Sequence, residues 1–214
     1  MTPTADPLAG LGKPAPADFE IDALLRERWS PRAFSAEPVT DSAIDSLLEA
    51  ARWAPSSSNE QPWHFILAAR DRDPEGHARI VSALFPFNQD WAAKAPLLAI
   101  SVAKMDSSRG GPNKWALYDT GQAVAQMAIQ ATSMGISVHQ MAGFDPALAR
   151  ERLGIPEGHE PVTAIAIGYR GGPGNLHPKL QEREAAPRER RPPREWAFEG
   201  RWGQPRGDAP VTEP

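Results

Sequence analysis

Cysteine is absent from this chain of 214 residues. Disulfide bonds, thiolate nucleophiles, Cys-x-x-Cys redox motifs and iron–sulfur clusters with thiolate ligands are therefore excluded. The sequence also lacks the His-Glu-x-x-His, Gly-x-Ser-x-Gly and P-loop motifs, and its five histidines are scattered rather than paired at ligand spacing. We accordingly expect no metal site and no catalytic side chain, so that any redox chemistry comes from a bound cofactor.

Long apolar runs and an excess of basic charge are absent as well. No run approaches the roughly 20 apolar residues that span a bilayer, and the opening residues lack the basic and apolar regions of a signal peptide. The formal net charge is -4, which disfavours a nucleic acid partner. We expect a cytoplasmic protein that binds neither membranes nor nucleic acid, with enough hydrophobic residues for one core.

The composition divides the chain into three parts. Residues 1–18 carry four prolines among small residues and predict a flexible leader. The folded domain is expected over 19–198, and a flexible tail over 199–214. Beyond Gly171 prolines and arginines dominate, and no helical or strand period survives. This region is either disordered or, as we favour from its interleaved aromatic residues, an arm packed across a partner subunit.

Hydrophobic periodicity predicts helices mixed with buried strands. A cap signal at Thr40 and Asp41 precedes an amphipathic helix that stops at Pro55. Further helices are expected over 74–84 and 118–134, and from Asp145 to near Leu153. Buried strands are expected over 63–69, 96–103 and 161–168. The fold class is therefore α+β, with a central mixed sheet and helices on both of its faces.

Three polar segments follow regular elements without an obvious packing role. Arg28, Ser30 and Arg32 offer two permanent cations and a hydroxyl, a set suited to a phosphate monoester. Residues 54–63 place hydroxyls and amides between two prolines, where they can bond the edge of a flat heterocycle. Residues 188–192 form a basic cluster. Taken singly, each segment is more often a solvated loop, a turn or a charged surface.

In combination and in order, these segments resemble the nitroreductase family, and the resemblance extends from about Ile21 to Trp196. The motifs that carry it are Arg28-Trp29-Ser30-Pro31-Arg32-Ala33-Phe34, Pro55-Ser56-Ser57-Ser58-Asn59-Glu60-Gln61-Pro62-Trp63, Phe87-Asn88, Asp119-Thr120-Gly121, Gly143-Phe144-Asp145, and the late pair Arg188 and Arg190. The resemblance implies a nitroreductase-like α+β fold and an obligatory homodimer with two FMN sites, each built from both chains.

The resemblance also implies the residues that bind FMN. The phosphate and ribityl chain would be held by Arg28, Ser30, Arg32, Arg188 and Arg190, with Trp29 beside them. The ring would be approached from the other subunit by Pro55, Ser56, Ser57 and Asn59. Asn88 would reach the pyrimidine edge, and the backbone at Met141, Ala142 and Gly143 would face the flavin N5.

Two positions depart from the family pattern. Ala142 stands where many relatives have a glutamate, and Trp91 stands where a lysine is often found. The end of the site that meets nicotinamide thereby loses the direct help of a glutamate carboxylate. Near the flavin ring, an aromatic surface replaces the hydrogen-bond donor of a lysine. Substrate choice is expected to change accordingly. For His139 and Met141 we favour a role in the core over one in the pocket.

The resemblance implies a ping-pong enzyme. NADPH or NADH would reduce bound FMN, and an electron-poor acceptor such as a nitroaromatic or a quinone would then take the electrons. The glycine-rich stretch at 171–174 contains a proline and precedes no predicted helix, so nicotinamide would bind without a Rossmann unit. Two alternatives stay open: the same fold with dehalogenation or flavin-fragmentation chemistry, and a non-catalytic flavin-binding dimer.

Overall fold

The structure, a computed structural model, describes residues 12–206. Most of the expected leader (1–11) and the end of the expected tail (207–214) lie outside the described residues. The helices are α1 Ala23–Glu27, α2 Asp41–Arg52, α3 Pro74–Ala83, α4 Pro86–Ala92, α5 Ala116–Ser133, α6 Pro146–Leu153 and α7 Pro178–Ala185. The strands are β1 Trp63–Ala69, β2 Leu97–Lys104, β3 Ile136–Met141 and β4 His159–Tyr169.

The four strands form one sheet in the order β1-β2-β4-β3. Each neighbouring pair is antiparallel, with Leu97 opposite Ile167 at one end of the central pair. The expectation of a mixed sheet is therefore wrong for the described chain. Continuous apolar runs such as β2 are typical of parallel strands because both faces are covered, but here helices cover both faces of an antiparallel sheet.

Two hydrophobic clusters lie on opposite faces of the sheet, which confirms the expected helices on both sides. One cluster joins α2 and α5 to the sheet and includes Leu47, Val124, Met127, Ile165 and Ile167. The other joins α3, α4 and α6 to the opposite face and includes Ile80, Trp91, Ile100, Ala149 and Ala166. Alternate residues of β4 enter alternate clusters, as the period of a strand requires.

Capping residues set the helix boundaries that the sequence predicts. The Thr40 hydroxyl accepts from the Ala43 N–H at 3.2 Å, and the Asp73 carboxylate accepts from the Gly76 N–H at 2.8 Å. At α6, Asp145 is the N-cap and Gly154 ends the helix in the left-handed region at φ 66°. These caps confirm the predicted α2, α3 and α6.

Four elements were not predicted: α1, α4, β3 and α7. The expectation that no helix occurs beyond Gly171 is wrong, since Pro178–Ala185 is helical. Leu180 is the buried residue of that helix, so α7 carries no apolar stripe for periodicity to detect. The strand β3 begins only two residues after the C-cap of α5, where Gly135 adopts φ 70° and turns the chain.

The described part of the expected leader is bonded to the rest of the chain. The Ala15 N–H donates to the Arg26 carbonyl at 2.8 Å, and the Lys13 ammonium donates to the Glu184 carbonyl at 2.6 Å. Residues 12–17 therefore lie between α1 and α7. Among the described helices, none combines the length and apolarity needed to cross a bilayer.

Gly171 packs the segment that follows Arg32 onto the end of β4. Its N–H donates to the Ala33 carbonyl at 2.9 Å, and a Cβ at this position would lie 2.6 Å from the Phe34 carbonyl carbon and oxygen. Backbone atoms cannot yield as a flexible side chain does. Gly172, the next residue, has no atom within 4 Å of such a Cβ.

Gly171→Ala is therefore expected to lower the free energy of unfolding by about 1–3 kcal/mol. Gly172→Ala, the matched control, should change it by less than about 0.5 kcal/mol. Urea unfolding followed by circular dichroism measures both values. Equal stability of the two variants would contradict the close approach at Gly171.

Candidate functional site

Three arginines gather where α1 ends. Arg28 is the C-cap of α1, and its guanidinium lies 3.4 Å from the Ser30 hydroxyl oxygen. The Arg188 guanidinium donates to the backbone carbonyls of Arg26 and Arg28, at 2.8 and 2.9 Å. Arg190 lies close enough to repel both Arg28 and Arg188. The structure thus brings four of the predicted site residues together.

The positive charge of this cluster is poorly neutralised. Burial, followed by repulsion from Arg190, lowers the pKa of Arg28. The pKa of Arg188 is lowered by burial and then by repulsion from Arg28 and Arg190, while Glu27 opposes the shift only weakly. None of the ion pairs within residues 12–206 joins a carboxylate to these three arginines. Such a cluster is suited to an anionic ligand.

Two buried donors beside the cluster have no protein acceptor. The Trp29 indole Nε1 and the Arg32 Nε are both buried and find no hydrogen-bond partner in the described chain. Buried polar groups are nearly always paired in folded proteins. Arg32 is otherwise held by Glu184 of α7, which accepts from its backbone N–H at 2.9 Å and lies 3.8 Å from its guanidinium. The two unpaired donors fit a ligand that carries oxygen acceptors.

A second group of predicted residues lies where α4 meets the loop after β3. The Asn88 side-chain amide donates to the Gly143 carbonyl at 2.9 Å, and the Phe85 N–H donates to the same oxygen at 3.0 Å. A Cβ at Gly143 would collide with the Asn88 amide nitrogen. The loop is closed further by a bond of 3.0 Å from the Phe144 N–H to the Ala142 carbonyl.

Met141, at the end of β3, is 3% exposed and belongs to the core cluster. This burial agrees with the core position that we favoured for it. Its backbone carbonyl accepts from the Thr163 hydroxyl at 2.9 Å. Met141 therefore anchors the loop rather than opening onto it.

The buried indole of Trp91 joins the two groups. Its Nε1 donates to the Asn88 side-chain oxygen at 3.2 Å, and its ring centroid lies 4.6 Å from that of His139. The Arg32 guanidinium carbon lies 5.9 Å from the same indole. Because Trp91 is 1% exposed, the expectation of an aromatic surface at this residue is wrong: the indole lies in the core, bonded to Asn88 and close to Arg32.

His139 is a buried neutral base on the strand β3. Its Nδ1 lies 2.9 Å from the Pro31 carbonyl oxygen, which can only accept, so Nδ1 carries the proton. Burial, opposed by this hydrogen bond and aided by repulsion from Arg32, lowers the pKa of His139 to about 4. A core position is what we favoured for this residue, and from there it fixes the loop that carries Ser30 and Arg32.

The predicted segment Pro55 to Asn59 lies apart from both groups. Its Ser57 N–H donates to the Asp119 carboxylate of α5 at 3.0 Å. Asn59 has φ 59°, and its neighbours Ser58 and Gln61 also lie in the left-handed region. Within the described chain, no hydrogen bond, ion pair or ring contact joins this segment to the arginine cluster or to Asn88 and Gly143.

Sequence reasoning missed the contacts that hold this segment in place. Glu60 accepts from the Ser108 N–H at 2.9 Å, from the Ser108 hydroxyl at 2.7 Å and from the Ser107 hydroxyl at 2.9 Å. These three bonds, in that order, lower the pKa of Glu60. No spacing rule connects residues so far apart in the chain.

Within residues 12–206, no group of three histidine, aspartate or glutamate side chains is placed to hold a metal ion.

The shifted pKa of His139 predicts a pH dependence of stability. The folded-state pKa of about 4 lies below the ordinary value of 6.5, so the unfolded chain binds this proton more readily. Stability should therefore fall as the pH falls through this window, by at most about 3 kcal/mol from this group. Burial also lowers the pKa of His77, so His77 adds to the loss of stability as the pH falls.

His139→Gln should flatten the dependence between pH 6.5 and 4, whereas the control His64→Gln, at an exposed position, should not. Urea unfolding at several pH values measures the slopes. Parallel slopes in the wild type and His139→Gln would show that His139 is not a buried neutral base.

Comparison with known proteins identifies the family. The family model described as the nitroreductase family matches residues 25–85 and 74–169. A protein of Archaeoglobus fulgidus, provisionally named NADH dehydrogenase/NAD(P)H nitroreductase, is 32% identical over 151 residues, which are 68% of this chain and 83% of that protein. An uncharacterised 15.4 kDa protein of Mycolicibacterium smegmatis is 40% identical over 95 residues, and the match spans 43% of this chain and 62% of that protein.

A solved structure confirms the fold. It is described as an oxidoreductase containing FMN, is 35% identical in sequence and superposes with a TM-score of 0.83. The superposition covers 89% of this chain and 96% of that one. The fold is thus nitroreductase-like, and the chain belongs to the nitroreductase family.

Proposed function

We propose that this protein is an FMN-dependent oxidoreductase that passes electrons from NADPH or NADH to an electron-poor small molecule, such as a nitroaromatic or a quinone, in two separate half-reactions. The observation that carries the proposal is the pair of buried donors at Trp29 and Arg32, which have no protein acceptor. They lie in the loop that Arg28 and Ser30 share, beside poorly neutralised cations. Family membership and the FMN named for the related structure agree with it.

The arginine cluster fits the phosphate of FMN. A phosphate monoester carries nearly two negative charges at neutral pH, and guanidinium groups bind it through paired N–H donors. Arg28 and Arg190 would make these contacts. Arg188 already donates to the carbonyls of Lys13, Arg26 and Arg28. Its role is therefore to add positive charge and to hold these three backbone positions together.

The loop after β3 fits the ring. Asn88 is held in one orientation, because its oxygen accepts from Trp91 and its nitrogen donates to Gly143. When bound, FMN supplies the atom that accepts and returns hydride, so no side-chain nucleophile is needed. Ala142 presents a methyl group, and therefore brings no carboxylate to the nicotinamide end of the site.

The segment Pro55 to Asn59 would complete the site of a second copy of the chain. The bond from Ser57 to Asp119 places the segment after α2 beside the start of α5. Around this contact Trp53 is 70% exposed, Trp115 58% and Tyr118 67%. Large aromatic side chains gathered at a surface favour a protein interface. We propose a twofold homodimer in which this face is buried. Because the segment 188–196 lies against residues 15–21 of its own chain, the C-terminal arm would pack on the partner only beyond Trp196.

The visible absorption spectrum of the purified protein, recorded without oxygen, tests the activity. A flavin spectrum should bleach on addition of NADPH or NADH, and a nitroaromatic or quinone should then restore it. Flavin that neither nucleotide bleaches would instead favour a flavin-binding dimer without turnover. Absence of flavin even after incubation with FMN would overturn the proposal.

Replacing Arg28 and Arg190 together by alanine tests the phosphate assignment. Each charge-assisted hydrogen bond contributes about 1.5–3 kcal/mol, so the double variant should bind FMN about 100-fold more weakly or worse. The flavin-to-protein absorbance ratio after gel filtration measures the loss. The double variant Arg194→Ala with Arg201→Ala removes the same charge from exposed positions and should keep its flavin. Full FMN occupancy in the Arg28 and Arg190 variant would remove these residues from the phosphate site.

A further inference from the structure

A cleft of about 480 Å³ lies between residues 15–21 and the C-terminal segment 188–196. Its volume is within the range of about 300–1,000 Å³ that small-molecule sites occupy. No hydrogen bond, ion pair or ring contact in the described chain joins a residue of this cleft to Asn88, Trp91 or Gly143. The cleft is thus separate from the residues proposed to meet the flavin ring, although it adjoins the proposed phosphate site, with which it shares Arg188 and Arg190.

One wall of the cleft is basic. Arg188, Arg190 and Arg191 line it. Arg188 is committed to backbone carbonyls, and within residues 12–206 the Arg190 guanidinium donates only to the carbonyl of Glu189. The guanidinium of Arg191 has no hydrogen bond or ion pair with any residue from 12 to 206. Arg191 can therefore bind an anion without giving up a protein contact.

The facing walls are aromatic. Phe19 is 54% exposed and Trp196 is 56% exposed, and both line the cleft. The Trp196 indole N–H donates to the Arg191 carbonyl at 3.2 Å, which orients the ring. Asp18 also lines the cleft and is not part of any ion pair in the described chain. A flat base can stack on these rings, and an amino group on the base can donate to the carboxylate.

We propose that this cleft binds the adenosine 2′-phosphate end of NADPH and so selects NADPH over NADH. An adenine nucleotide with an additional phosphate monoester matches the aromatic walls, the free guanidinium and the carboxylate together. NADH lacks that phosphate, and would gain nothing from Arg191. The selection between the two donors rests on the proposed function, whereas the binding of the nucleotide does not.

Calorimetric titration of the full chain with adenosine 2′,5′-bisphosphate and with adenosine 5′-monophosphate, with FMN present to occupy the proposed phosphate site, tests the cleft. The bisphosphate should bind at least about tenfold more tightly, the effect of one charge-assisted contact. Arg191→Gln should remove this advantage and leave the affinity for the monophosphate unchanged. Trp196→Leu should weaken both ligands, because both carry the base.

Arg194→Gln is the matched control, since Arg194 belongs to the turn that follows Arg191 and does not line the cleft. It should change neither affinity. Arg191→Lys keeps the charge but loses the paired N–H donors, and should retain part of the advantage. In the flavin-loaded protein, Arg191→Gln should lower kcat/KM for NADPH about tenfold, with kcat/KM for NADH and the FMN content unchanged.

Equal affinity for the two nucleotides in the wild type, or an unchanged preference in Arg191→Gln, would overturn the assignment of the cleft. If the bisphosphate binds as expected but neither NADPH nor NADH bleaches the flavin, the proposed function fails and the nucleotide site stands. The two failures are therefore distinguishable.

Discussion

The buried indole of Trp91 contacts both parts of the candidate site at once. Its N–H is bonded to Asn88, and its ring packs against His139, whose own N–H holds the Pro31 carbonyl. Truncating a buried aromatic residue costs about 3–5 kcal/mol in general, but here the position of two loops depends on the same ring. The orientation of Asn88 is therefore not set by α4 alone, and the path of residues 30–32 is not set by their own loop alone.

The charge at the candidate site is opposite in sign to the net charge of the chain. The chain carries a formal net charge of -4, yet the end of α1 holds three arginines whose repulsion is hardly compensated. Desolvation raises the cost of this repulsion, and a bound phosphate would relieve it. Arg188 reduces the cost in another way, because its N–H groups bind the carbonyls left open at the end of a helix.

Local patterns in the sequence predicted the elements that carry their own signal. The cap at Thr40 marks α2, and the predominantly apolar run of β2 marks a strand covered on both faces. The strand β3 was not predicted because only Met134 and Gly135 separate it from α5. The antiparallel pairing was not predicted because strand direction depends on the whole topology, which local periodicity does not contain.

The candidate site was reached from the sequence through the family resemblance rather than from periodicity. Motif order could place Arg28, Asn88 and Gly143 in one site, but could not show that Trp91 is buried in contact with Asn88 and close to Arg32. That contact depends on a side-chain orientation inside a packed core. Nor could it show that Arg188 is bonded to three backbone carbonyls, since those carbonyls come from distant parts of the chain.

The strand order also constrains how the chain folds. β4 lies between β2 and β3, two strands that precede it in the chain. The sheet is therefore incomplete until α5, β3, α6 and β4 have been synthesised and β4 has paired with both strands. Pairings so distant along the chain require costly loop closure and slow the folding of a domain. Until then, every residue of β2 from Leu97 to Ala103 lacks the burial it has in the folded state. A nascent chain would thus expose an uncharged apolar strand, and chaperones that recognise such strands would find their binding site there.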